Sequence, residues 1–277
     1  MSQNLNCYEM VDQIRYGLND HSTAKVQGTV TTGPFKNENI LSEINKAQMF
    51  VQAVIRAQIP ELFFKSGTMT GVASVYTLPS DLWKIKRVEN ADEEKIEQID
   101  LNQKHGSSGS GSKYGYYRYG NSLRIDADSV TDTLTIWYEY RCRALNFGKS
   151  AAGGALSLTL ASSAKPIADY YNGMQIENVT DSWVDTIDDY SAARVCTITE
   201  TGAVDKYYGL ISELPEPFHQ LILDRALLRL KSHPNSPEKP TKVELSQFQE
   251  DLAGALNSYG DTDVDMDALI NDFAPIF

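Results

Sequence analysis

The chain has 277 residues, 42% of them apolar and 22% charged, with a formal net charge of −12. This is the composition of a globular protein of one large or two modest domains, and no apolar run approaches the roughly 18 residues that a membrane-spanning helix needs. The acidic balance argues against tight, sequence-blind wrapping of nucleic acid, which requires clustered Lys and Arg, but does not exclude DNA passing through an assembly of this protein.

From the N-terminus, MSQNLNCYEM lacks the basic segment and apolar core of a secretion signal, so none is expected. Residues 6–18 read as a first helix: Cys7, Met10, Val11, Ile14 and Leu18 share a face, and Asn6 with Glu9 resembles a capping box. A polar loop, 20–34, follows. Residues 38–59 then carry apolar side chains at Ile40, Leu41, Ile44, Ala47, Val51, Val54, Ile55 and Ile59, the spacing of one helical face. Asn37 can cap this helix and Pro60 ends it.

Val72–Thr77 and Lys84–Glu89 predict short strands on either side of a turn at Pro79. Residues 103–119 combine a Gly/Ser run with Lys113, Tyr114, Tyr116, Tyr117, Arg118 and Tyr119. These tyrosines could stack on bases or sugars; a hairpin tip packing at an interface is the favoured reading. Ser122–Ile125 and Thr133–Arg143 are predicted strands. In the second, Leu134, Ile136, Tyr138, Tyr140 and Cys142 alternate with Thr135, Trp137, Glu139, Arg141 and Arg143, as a half-buried strand requires.

From Asn146 the pattern changes. Short β runs at Leu156–Leu160, Met174–Val179 and Arg194–Ile198 lie between turn-rich segments and predict a small β module. Helical pattern returns over 215–231, apolar nearly all round, and over 241–259, with one stripe of Leu245, Phe248, Leu252, Ala255, Leu256 and Tyr259. Asp261, Asp263, Asp265 and Asp267 then precede Leu269, Ile270, Phe273, Ile276 and Phe277. Such an acidic, then apolar, terminus suits docking into a groove or sheet edge of a partner; the alternatives are folding onto its own subunit or staying disordered.

The expected fold class is α+β: a helical bundle core with a short β-sheet and an inserted small all-β domain. The expected domains are 1–145 with 211–260 (core), 146–210 (insert) and 261–277 (tail).

Catalytic and metal chemistry find little support. Cys7, Cys142 and Cys196 fit neither a disulfide framework nor a zinc site, and read as buried free thiols of a reducing cytosol. His21, His105, His219 and His233 show no metal spacing, and the five-residue offset of His219 and Asp224 does not align them on one helix face. Asp188-Asp189 fits a turn better than acid–base work. The D-x-D-x-D run from Asp261 lacks the glycine and glutamate of a calcium loop. No cofactor and no enzymatic activity are expected. Trp183 with Tyr170, Tyr171 and Tyr190 could form a carbohydrate platform, the basis of an alternative reading as a tail or surface binding protein; packing is the favoured role.

Four segments, FKNENILSEINKAQ, YTLPSDLWKIKRVE, NSLRID with TLTIWYEYRCRAL, and ELPEPFHQLILDRALLRL, resemble in order and spacing the head–tail connector (adaptor) proteins of tailed double-stranded DNA bacteriophages. The resemblance implies a non-enzymatic ring, usually of twelve subunits, docked beneath the portal protein in the virion neck and assembled in the host cytoplasm. It also implies an extended DNA channel without sequence-specific binding, a surface for tail or neck proteins, and no membrane partner. Family C-termini commonly reach the portal, which points to Leu269, Ile270, Phe273, Ile276 and Phe277. A flexible tip at Lys113–Tyr119 would fit contact with the channel or a tail protein. The negative charge suits a conduit that does not trap DNA, or simple solubility.

Overall fold

The computed structural model describes residues 5–19, 35–100, 115–126, 133–236 and 238–259. Contacts divide the chain into two units, Met1–Ile59 with Cys142–Phe277, and Pro60–Arg141.

Helix α1 (Cys7–Gly17) starts where Asn6 Oδ1 accepts the Glu9 N–H at 2.9 Å, satisfying one of the donors that a helix start leaves unpaired. Helix α2 (Asn37–Gln58) has the predicted buried stripe, but not the predicted cap: Asn37 is its first helical residue and no side chain caps it. Asn37 Oδ1 instead accepts from Nε of buried Arg15 at 2.9 Å, which joins the two helices. Gln48 and Gln52 also lie buried on the α2 stripe. Gln48 Nε2 donates to Arg143 O and its Oε1 accepts from Ser212 Oγ, both at 2.8 Å, while Gln52 Oε1 accepts the Cys142 N–H at 3.3 Å. Their amides thereby satisfy polar groups that the core would otherwise strand.

The Pro60–Arg141 unit is β1 (Phe64–Met69), β2 (Gly71–Val72), β3 (Val75–Thr77), β4 (Leu82–Glu89), β5 (Lys95–Gln98), β6 (Gly115–Tyr119), β7 (Ser122–Ile125) and β8 (Leu134–Tyr140). They form one sheet in the order β1-β8-β4-β5-β6-β7-β3-β2, parallel at β5–β6 and antiparallel elsewhere. β1 and β2 stand at opposite ends of that order, yet only Thr70 separates them in sequence. Successive Cα atoms are about 3.8 Å apart, so the sheet must curl until its ends nearly meet. Tyr76, Val88, Leu123, Leu134 and Ile136 are among the side chains buried there.

The other unit adds β9 (Phe147–Lys149), β10 (Ala152–Gly154), β11 (Ser157–Thr159), β12 (Gln175–Asn178), β13 (Trp183–Thr186), β14 (Asp189–Tyr190), β15 (Val195–Thr197) and β16 (Tyr207–Leu210). They make two four-stranded sheets, β10-β11-β15-β14 and β13-β12-β16-β9. Helix α3 (Pro217–Ser232) packs against α2 and against α4 (Lys242–Tyr259), while α1 packs on α2, α3, β9 and β16. α4 opens with a reciprocal cap: Thr241 Oγ1 accepts the Glu244 N–H at 3.2 Å and Glu244 Oε2 accepts the Thr241 N–H at 2.8 Å.

The expected helical-bundle core with a short sheet is therefore wrong. Among the described residues, four helices accompany sixteen strands in three sheets, and the largest sheet encloses a core of its own. The helices lie close to where periodicity puts them. Strands of two to four residues are too short to show alternation, and pairings such as β1 with β8 join segments about 70 residues apart.

Candidate functional site

The tyrosine-rich hairpin is the first candidate surface. β6 and β7 pair from Tyr116↔Ile125 to Tyr119↔Ser122, leaving Gly120-Asn121 as the turn. Gly120 has φ +60°, the backbone that favours glycine at the first position of a two-residue hairpin loop. Neighbouring strand residues face opposite sides. Tyr116 and Tyr117 are both buried, so both faces of the strand are covered at that point. Burial, with the nearby Glu97 charge, raises the Tyr116 pKa. Only the end of the hairpin is open: Arg118 is exposed, and Tyr119 is 62% exposed beneath the Arg124 guanidinium, 5.1 Å from its ring. Lys113 and Tyr114 lie outside the described residues, as do Leu269, Ile270, Phe273, Ile276 and Phe277.

A second surface escaped the sequence reading. β8 runs between β1 and β4, with Trp137 opposite Ser66 and Arg87, and Glu139 opposite Phe64 and Lys84. Irregularities in β4 between Leu82 and Lys84, and between Ile85 and Arg87, set in Trp83 and Lys86 as extra residues. Phe64, Trp83 and Trp137 are each about half exposed. Trp137 Nε1 donates to Glu89 Oε2 at 3.0 Å, Lys86 pairs with Glu139 and lies 5.1 Å from the Phe64 ring, and Arg141 lies 5.8 Å from the Trp83 ring. The signal that could have found this face is LWKIKRVE, whose alternation fails where the extra residues enter.

The catalytic and carbohydrate candidates take packing roles. His219 is buried, its Nε2 is 2.7 Å from Leu214 O, and burial lowers its pKa. Asp224 accepts from Gln220 at 2.8 Å, not from His219. Tyr171 and Tyr190 are buried and stack edge to face at 4.8 Å, with Tyr170 against Tyr171 at 4.8 Å, so with half-buried Trp183 they make no open platform. Asp188 and Asp189 are not a turn: Asp188 lies at a bend and donates its N–H across to Thr197 O of β15 at 2.9 Å, and Asp189 is the first residue of β14. A cleft of about 460 Å³ between the start of α2 and the end of α3 is lined by Asn39, Glu43, Lys46 and Arg229. Its charges are already paired. Burial alone would raise the Glu43 pKa, but hydrogen bonds from Lys46 and Arg229, each at 2.6 Å, hold it below the ordinary value.

The sequence profile described as SU10 adaptor protein matches residues 5–162, more than half of the chain. The protein belongs to the SU10 adaptor family. It is a bacteriophage adaptor, a structural protein of the virion. The match takes in α1, α2 and all eight strands of the Pro60–Arg141 unit, including the hairpin and the aromatic face. No curated protein matches this adaptor. In it, no helix among the described residues is long and apolar enough to cross a membrane.

Proposed function

We propose that the adaptor forms a homo-oligomeric ring, twelve subunits by the pattern of head–tail connectors, beneath the portal of a tailed double-stranded DNA phage. The ring extends the DNA channel, carries DNA without reading its sequence, and docks tail or neck proteins. Its role is structural rather than catalytic. The apolar positions Leu269, Ile270, Phe273, Ile276 and Phe277 engage the portal, and the open end of the β6–β7 hairpin, Arg118 and Tyr119, serves a tail or channel contact. The strands within 147–210 make further contacts to neighbouring capsid or tail proteins.

The observation that carries this reading is the family match over residues 5–162. The net charge of −12 supports it, because a conduit of like charge does not hold the DNA backbone through counterion release. The test is to mix the purified protein with the portal of its phage and image the product. A ring stacked on the portal is expected, lost on truncation after residue 259. A protein that stays monomeric and never binds the portal refutes the reading; a truncated chain that binds as well as the parent refutes the tail assignment.

A further inference from the structure

We infer that the aromatic, cationic face of β1, β8 and β4 docks into the acidic-rimmed groove between α3 and α4 of a second copy of this chain. This deepens the ring proposed above and rests on it.

The first partner is the sheet face. Three large aromatic side chains, Phe64, Trp83 and Trp137, are each about half exposed on one three-strand stretch. Aromatic residues and Arg are the types enriched at the centres of protein interfaces. The rings are held before any partner arrives: Trp137 by its bond to Glu89, Phe64 beneath Lys86, Trp83 beside Arg141. Fixing side chains in advance lowers the ordering cost of association. Arg141 is exposed and forms no ion pair among the described residues.

The second partner is the groove. It is floored by Leu227, Leu228 and Phe248, rimmed by Asp224, Glu244 and Asp251, and holds about 200 Å³. That is below the roughly 300–1,000 Å³ of small-molecule sites, so the groove suits an inserted side chain better than a free ligand. Glu244 is already bonded to Lys231. Asp224 and Asp251 are not so served: each accepts from a glutamine, Gln220 at 2.8 Å and Gln247 at 2.9 Å, and neither meets a cation among the described residues. Burial and the Asp251 charge raise the Asp224 pKa, which is the signature of a carboxylate that would gain from an incoming positive group.

The two surfaces match in kind: rings with Arg141 on one, an apolar floor with two unserved carboxylates on the other. The charge of the chain is unevenly divided, both units being net negative and the one that carries the sheet face less so. The Pro60–Arg141 unit carries ten Lys and Arg against twelve Asp and Glu, whereas the remainder carries fifteen against twenty-five. Because the patches differ, the contact is head to tail, the kind that propagates around a ring and closes it.

The experiment uses the full chain assembled on portal. Cys7, Cys142 and Cys196 are all buried, so cysteines placed at exposed Lys84 and Gln247 can be joined selectively by a short bis-maleimide. The K84C/Q247C chain is expected to give a ladder of covalent multimers on a denaturing gel, and each single variant none. Arg141→Glu is expected to weaken ring formation on the order of tenfold, and adding Asp251→Arg to restore it. If Arg141→Glu fails to fold, the cross-link decides. Rings that form without a ladder, or that tolerate Arg141→Glu unchanged, overturn this inference and leave the ring standing. A parent chain that forms no ring on the portal overturns the ring, and this contact with it.

Discussion

Replacing Arg143 by Met should be strongly destabilising. Arg143 Nε and Nη2 donate to the two oxygens of Glu213 at 3.1 and 2.6 Å, and its backbone N–H donates to the same carboxylate at 2.8 Å. Nη1 reaches the carbonyls of Asn172 and, at 3.4 Å, Tyr170. The side chains of Arg143 and Glu213 are only 6% and 10% exposed, so Arg143→Met leaves a carboxylate and two carbonyls facing a thioether. Breaking a buried pair from one side costs about 3–5 kcal/mol. For a domain of this size each kcal/mol moves the melting temperature by about 2–4 °C, so a fall of about 6–20 °C is expected. Thermal unfolding followed by circular dichroism reads this directly. A second arm separates charge from packing. The double variant Arg143→Met/Glu213→Leu should recover part of the loss, because exchanging a whole buried pair for apolar side chains is often neutral. Recovery should stop about 1–3 kcal/mol short, since the Arg143 N–H then lacks its acceptor and the Asn172 and Tyr170 carbonyls still lack the donor that Arg143 supplied. An Arg143→Met protein that melts within about 2 °C of the parent would refute the argument, because the pair would then be contributing like an exposed one.

Gly209→Ala should destabilise by about 1–3 kcal/mol, read as a shift in the urea midpoint; a Cβ there would meet Asn6 Oδ1 at 2.5 Å and Tyr8 N at 2.7 Å, pushing the α1 cap off β16. The hydrogen bond from Lys231, followed by that from the Thr241 backbone, lowers the Glu244 pKa from about 4.5 to about 2. A depressed carboxylate stabilises above its unfolded pKa and loses that contribution as pH falls through the folded one. Glu244→Gln should therefore be less stable than the parent at pH 7, with the gap closing between about pH 4.5 and 2; a gap that ignores pH in urea titrations would count against the Lys231–Glu244 contact. The three thiols should be silent to a colourimetric thiol reagent in the folded protein and titrate as three on unfolding, since all are buried and burial pushes the Cys196 thiol up to about 12; a fast native titre would refute their burial.

The helices were the legible part of this fold. Stripes over 6–18, 38–59, 215–231 and 241–259 lie within about two residues of α1 to α4, because 3.6-residue periodicity accumulates over several turns. β8 was legible through its own period, with four alternating apolar residues, and β11, β12 and β15 fall inside predicted runs. The Asn37 cap failed because the identity of a capping residue says nothing of a rival, and Arg15, 22 positions away, takes its oxygen. β9, β10, β13, β14 and β16 have two to four residues each, too few for a pattern to rise above composition. At the candidate site, parity in β6 could not tell that both Tyr116 and Tyr117 are covered, since that depends on what lies over each face. Phe64, Trp83 and Trp137 come together only through pairings across roughly 50 to 75 residues, with extra residues in β4 that no propensity predicts.

The near-meeting of β1 and β2 has a consequence for how such a subunit survives before assembly. A sheet with long free margins offers unpaired N–H and C=O groups to any passing strand, and proteins made in quantity aggregate by that route. Here one margin is a two-residue strand and the other is drawn round beside it. Recruitment of a foreign strand is thereby disfavoured, and the subunit can accumulate in solution until side chains, rather than backbone, choose what it joins.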